Sequence, residues 1–253
     1  MDGTLLRGDG NLAPRTLAAM QACQRAGIRV VIATGRCFAE AKHPLPEGFA
    51  PDAWICEGGA RVHAGGRCLH EELIPADTAR DLVQWLQANY PTSTVWAEVG
   101  GALLANRPLR GEYGFQIVDL VAHLDRPVGM IVIESTTMEL LLSAQERLPA
   151  NCRMFITDGG KWGLIMAARV SKADALRRLL DHWDLALDQA MAIGNDTNDI
   201  EFIAECGDGV AMDNAIPEAK SAADLVTASN DEDGVAQVLE ALVQGEIEGL
   251  AVA

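Results

Sequence analysis

The sequence predicts an α/β protein whose parallel-sheet core is interrupted by an inserted α+β domain. Three observations point there. A helix-period segment, Pro14 to Ala26, ends at Gly27 and is followed by the apolar run Ile28–Ala33 and the polar loop Thr34-Gly35-Arg36, which is half of a βαβ unit. From Arg61 the texture changes to short strand pairs around Gly-Gly turns, mixed with helices. From Ser171 helix and apolar strand alternate again. These shifts divide the chain into a discontinuous core, 1–60 with 168–253, and an inserted domain, 61–167.

Each element has its own reason. Pro14 suits a first helical turn, and Leu17, Met20 and Cys23 share a face. Ala53–Cys56 is a short apolar strand leading into Glu57-Gly58-Gly59-Ala60. Arg61–His63 and Arg67–Leu69 flank Ala64-Gly65-Gly66 as a hairpin. A helix follows Pro75 with Leu82, Val83 and Leu86 on one side. Thr94–Glu98 and Ala102–Ala105 read as strands, as does Val128–Glu134, and a helix is expected from Thr137 to Leu148. Met154–Thr157 and Trp162–Ala167 form a last hairpin around Asp158-Gly159-Gly160. In the resumed core, Ser171-Lys172-Ala173-Asp174 opens a helix carrying Leu176, Leu179 and Leu180. Ala190–Ile193 is a strand running into Gly194–Asp199, and Gly209–Met212 is a strand running into Asp213-Asn214-Ala215. A helix near Pro217–Ala222, a short strand Leu225-Val226 and a helix Val235–Leu242 complete the order.

Composition limits the function. The chain has 253 residues, 49% hydrophobic, enough for well-buried cores. Its formal net charge of −16 argues against a basic nucleic-acid surface, so an anionic ligand must meet a local positive site or a metal ion. No apolar stretch approaches the roughly 20 residues of a membrane helix. No basic region followed by an apolar block marks a leader, so a cytoplasmic protein is expected. Cys23, Cys37, Cys56, Cys68, Cys152 and Cys206 form no C-x-x-C pair and read as buried free thiols. The five histidines show no metal spacing.

The chemistry-bearing residues lie at the predicted strand ends, where ligands of such sheets bind. In Met1-Asp2-Gly3-Thr4 a glycine permits close approach of backbone to an anion and a threonine offers a hydroxyl. Thr34-Gly35-Arg36 can hold an anion through a hydroxyl and helix-start N–H groups, or be an ordinary strand–helix turn. Gly194-Asn195-Asp196-Thr197-Asn198-Asp199 is a dense oxygen cluster suited to Mg²⁺, or a solvated helix cap. Lys172 at a helix start opposes the macrodipole, which an anionic ligand would relieve.

Taken in order, Asp2-Gly3-Thr4-Leu5-Leu6, Val31–Arg36, Lys172, Gly194–Asp199 and Gly209–Ala215 with Asp233-Gly234-Val235 resemble the haloacid dehalogenase superfamily, and within it the Cof-type phosphatases with a large cap between the second and third motifs. The resemblance implies a Rossmann-like doubly wound core with an α+β cap that selects a small phosphorylated metabolite, with a sugar phosphate foremost. It implies Mg²⁺ as cofactor and an aspartyl-phosphate intermediate formed by an aspartate two residues ahead of the Asp-Gly-Thr. By the same resemblance Asp2 is the acid/base, with its backbone carbonyl on the metal. Gly3, Thr34, Gly35, Arg36, Lys172 and Asn198 are then phosphate-side groups, Lys172 also acting in catalysis, and Asn195 and Asp199 are metal-side groups. Glu98, Arg107, Arg110, Tyr113, Lys161 and Trp162 are cap candidates by residue type.

This sequence departs from the family pattern in three places. The attacking aspartate would precede Met1, the usual Gly-Asp is Gly194-Asn195, and the usual Asn before Gly-Ala is Gly58. The resemblance further implies that the segment ahead of Met1 is the central strand, so the natural gene is expected to begin upstream. Without that strand, the strands near Val31 and Met191 have no neighbour between them. A chain that binds a phosphorylated ligand without turnover, and a phosphomutase, are the other readings.

Overall fold

The computed structural model describes residues 1–108, 114–135 and 137–246. They form two compact units, Met1–Leu69 with the chain from Ser171 onward, and His70–Val170. The hairpin that the sequence places in the inserted domain lies in the first unit as far as Leu69. Its first strand is held by the preceding one, with Cys56 opposite Arg61 and Ala53 opposite Ala64.

The first unit starts with a turn in which the Met1 carbonyl accepts hydrogen bonds from the N–H groups of Thr4, Leu5 and Leu6. Helix α1 (Pro14–Arg25) follows, with Pro14 in its first turn. It closes by donation from Ile28 N–H to the Cys23 carbonyl across Gly27, whose φ is +82°. Ile28 is therefore spent on the helix cap, and β1 is only Val31–Ala33, shorter than the apolar run. Helix α2 (Phe38–Lys42), not foreseen, is a five-residue helix. Strand β2 (Ala53–Cys56) is buried throughout and pairs parallel with β1, and β3 (Arg61–Ala64) and β4 (Arg67–Glu71) extend the order to β1-β2-β3-β4.

The second unit has helix α3 (Ala76–Asn89), β5 (Thr94–Val99), β6 (Ala102–Ala105), β7 (Gln116–Ile117), α4 (Leu120–His123), β8 (Met130–Glu134), α5 (Met138–Glu146), β9 (Cys152–Thr157) and β10 (Trp162–Ala167). Its sheet runs β7-β6-β5-β8-β10-β9. One face packs on the helices around Leu86, Leu120, Ile131, Ile133, Leu141 and Ile165.

The chain then returns to the first unit with α6 (Lys172–His182), β11 (Met191–Gly194), α7 (Ile200–Glu205), β12 (Asp208–Ala211), α8 (Pro217–Ala222), β13 (Leu225–Val226) and α9 (Gly234–Gln244). The Ser171 hydroxyl caps α6 by accepting from Asp174 N–H. Strands β11-β12-β13 are parallel and form a sheet of their own. The parallel strands of this unit therefore lie in two separate sheets. No helix among the described residues is long and apolar enough to cross a membrane. Cys68 corrects one expectation: it is exposed on β4, while the other five thiols are buried.

Candidate functional site

The site is assembled from loops at the carboxyl ends of β1 and β11. Gly3 (φ +67°) turns the N-terminal segment against Asn195. A side chain there would meet the Asn195 amide at 2.6 Å, so only glycine allows the approach. Thr4, buried, donates its hydroxyl to Asn195 Oδ1 at 2.7 Å. Asn214 Nδ2 donates to the Gly3 carbonyl at 2.8 Å, and Asn230 Nδ2 donates to the Leu6 carbonyl at 2.8 Å. Arg7 pairs with Asp233 at 2.6 Å, and Gly8 N–H donates to Asp231 at 2.8 Å. Three separate loops thus hold the segment that carries Asp2.

Lys172 and Asp199 form the buried centre. Lys172 Nζ lies 2.5 Å from Asp199 Oδ1 and 3.5 Å from Asn198 Oδ1. Asp199 Oδ2 accepts from the N–H groups of Asn195 and Asp196, at 3.0 and 3.2 Å. Gly194 makes room for this carboxylate, since a Cβ there would stand 2.5 Å from that of Asp199. Burial alone would push Asp199 up. The Lys172 charge, the N-terminal amine and the hydrogen bonds outweigh it, and Asp199 ends below the usual carboxylate range. Lys172 thus opposes the α6 dipole against a buried carboxylate, and this partner, 27 residues on, leaves no mark on the local sequence.

Asp2 points outward, its side chain 61% exposed, and meets Arg36 Nε at 3.0 Å and Nη2 at 2.5 Å. Lost hydration acts to raise its pKa. The Arg36 hydrogen bond, the N-terminal charge and the Arg36 charge overcome this and hold it low. The Met1 amine is pushed down to about 6, by burial first and the Lys172 charge second. Thr34, 1% exposed, holds the loop after β1: its hydroxyl accepts from Arg36 N–H at 3.1 Å and its carbonyl from Gly58 N–H at 2.9 Å. Gly35 is half-buried between them.

The direct contacts form two sets. Thr4, Lys172, Asn195, Asn198 and Asp199 are one; Asp2 and Arg36, with Thr34 behind them, are the other. Sequence reasoning quoted Asn214 in its motif without assigning it a task, and it missed Asn230. Their targets are backbone carbonyls more than 200 residues away, which no local pattern signals.

The donor chemistry suits a hard cation, for which one or two carboxylates suffice beside carbonyls, waters and substrate oxygens. Among the described residues no three His, Cys, Asp or Glu side chains stand together as a metal cluster. Asp199 has both oxygens engaged. The exposed Asp2 carboxylate is the accessible one. Its backbone carbonyl also accepts no backbone hydrogen bond among the described residues, whereas those of Met1 and Gly3 on either side do or are held by Asn214. Asn195 supplies an amide oxygen beside it.

In the second unit, Arg107 Nη1 donates to the Pro91 carbonyl, Glu98 accepts from Gly101 N–H, and Lys161 pairs with Asp158 and lies 5.5 Å from the Trp162 ring. Arg110 and Tyr113 lie outside the described residues.

Comparison with known proteins gives a consistent result. A family model described as haloacid dehalogenase-like hydrolase matches residues 1–239. Phosphatase YwpJ of Bacillus subtilis is 27% identical, covering 96% of this chain and 98% of its own. The HMP-PP phosphatase of Escherichia fergusonii is 30% identical, covering 87% and 85%. A solved haloacid dehalogenase-like hydrolase from B. subtilis superposes with a TM-score of 0.85 at 25% identity, over 95% of this chain and 96% of that one.

Proposed function

This chain belongs to the haloacid dehalogenase-like hydrolase family, among its Cof-type phosphatases, and from that premise we propose that its site serves Mg²⁺-dependent hydrolysis of a small phosphorylated metabolite, a sugar phosphate first among the candidates. The observation that carries the reading is the convergence of Thr4, Asn195, Asp199 and Lys172 through direct hydrogen bonds at one edge of the parallel strands. Relatives named as phosphatases over nearly the whole length support it.

In this proposal Thr34, the N–H groups of Gly35 and Arg36, Asn198 and Lys172 hold the phosphoryl oxygens, with Gly3 allowing close backbone approach. Asp2 protonates the leaving oxygen and then takes a proton from water. Asp2, Asn195 and Asp199 stand on the metal side, Asp199 acting from behind by fixing Lys172 and the Asn195 backbone. Bound Mg²⁺ would neutralise charge building on the phosphoryl group. The attack comes from an aspartate two positions ahead of Asp2, forming an aspartyl phosphate. The other reading is phosphate binding without turnover.

Both readings require the binding site, so orthophosphate titration with and without Mg²⁺ tests it. Binding is expected to need Mg²⁺, and Thr34→Val is expected to weaken it about tenfold, the cost of one hydrogen bond to a charged group. Equal affinity with and without Mg²⁺, unchanged in Thr34→Val, would remove the proposed site.

A further inference from the structure

A second pocket lies at the far end of the first unit. Strands β1 and β2 run parallel, and Arg29 and Asp52 stand just ahead of their first residues, Val31 and Ala53. Ala64 lies opposite Ala53, so the turn of the β3–β4 hairpin comes to the same end. Helix α6 starts with Lys172 in the candidate site and finishes here with His182, followed by Trp183. Together with Arg67 these residues line a concavity of about 430 Å³. The Arg29 guanidinium is stacked over the Trp183 ring, 4.5 Å from its centroid, which holds it in place. Arg67 is exposed at the start of β4. Among the described residues neither arginine nor His182 is paired with a carboxylate. Asp52 is the one acid in the lining, and its Oδ2 is taken by Val30 N–H at 2.8 Å and Gln24 Nε2 at 3.0 Å. The C-terminus of α6 works against an anion, but its dipole amounts to roughly half a charge. Its Leu180 carbonyl already accepts from the Trp183 and Leu185 N–H groups. The two guanidiniums outweigh these terms, in a chain where 36 acids face 20 bases.

We propose that this pocket binds a small molecule carrying at least two oxyanion groups, phosphate or carboxylate, at the end of the strands away from the candidate site. Arg29 and Arg67 reach the pocket from different elements, so each takes its own oxyanion group. The guanidinium fork offers paired N–H donors that match phosphate and carboxylate alike. His182 adds a ring N–H. Trp183 fixes the Arg29 guanidinium before a ligand arrives, so less side-chain freedom is lost on binding. The volume suits a metabolite, since small-molecule pockets begin near about 300 Å³. A large polyanion would extend past the pocket into the field of a chain with net charge −16. This binding is independent of the proposed reaction.

The probes are citrate and inorganic pyrophosphate, added to the full chain without Mg²⁺ and followed by NMR through its five indole N–H signals. The Trp183 signal, identified by its loss in Trp183→Phe, is expected to shift saturably with at least one of them. Tighter citrate binding would mark a carboxylate ligand, and tighter pyrophosphate binding a phosphate ligand. Orthophosphate, with a single oxyanion group, is expected to bind there about tenfold more weakly. Arg29→Gln and Arg67→Gln are each expected to weaken binding about tenfold, the worth of one hydrogen bond to a charged group. Both side chains are exposed, so the fold is expected to tolerate either change. Thr34→Val, at the other end of β1, is expected to leave this binding unchanged. A Trp183 signal that moves with neither anion would overturn the proposal, as would native affinity in Arg67→Gln or equal affinity for orthophosphate. Binding lost in Thr34→Val and kept in both arginine variants would put the anion in the candidate site, and would overturn it too.

Discussion

Replacing Lys172 with methionine is expected to lower the unfolding free energy by about 3–5 kcal/mol, the usual cost of leaving one member of a buried ion pair alone. Lys172 and Asp199 have side chains only 5% and 8% exposed and sit 2.5 Å apart. With the ammonium removed, the Asp199 carboxylate keeps its two backbone donors but loses its counter-charge in a site where burial works against ionisation. Urea unfolding measures the loss. The pair Lys172→Met with Asp199→Asn is expected to recover part of it, because the second change removes the stranded charge. The pH dependence has a definite sign. A carboxylate held low in the folded state contributes stability above its unfolded pKa, and that contribution fades as pH falls through the folded value. The native chain is therefore expected to lose this increment in acid, and Asp199→Asn to lose less over the same range. Additive single-variant costs would contradict the pairing.

The second large effect is on turnover. In a version of the chain extended at its N-terminus to carry the attacking aspartate, Asp2→Asn is expected to reduce phosphate release by about 10²–10⁴-fold, the range for removing a positioned general acid/base, with orthophosphate binding largely kept. Arg36 holds Asp2 ionised in the structure, so the carboxylate is poised as the base and must leave Arg36 to act as the acid. An Asp2→Asn protein with unchanged turnover would strip Asp2 of that role.

Particular residues show how much was legible in the sequence. The loop at Gly194–Asp199 could be placed because β11 is a short apolar run ending in glycine, and α6 because Ser171 is a recognisable cap. Local chemistry sets both. Strand β1 came out shorter than its apolar run because Gly27 gives Ile28 to the helix cap. Helix α4 and strand β7, at four and two residues, are too short to carry a period. The ion partners were invisible for a different reason. Arg36 grips Asp2 34 residues away, and Lys172 finds Asp199 27 residues away. Such contacts depend on how the strands line up, which spacing along the chain does not encode.

Phosphate release from p-nitrophenyl phosphate, with and without Mg²⁺, by a version of the chain extended at its N-terminus to carry the attacking aspartate, and by its counterpart with asparagine in that place, tests the central claim most directly. The proposed chemistry predicts release only from the aspartate version and only with Mg²⁺, because the attacking carboxylate then joins the groups proposed for phosphate, metal and acid/base. Equal release from the asparagine version, or none from the aspartate version with Mg²⁺, would contradict it.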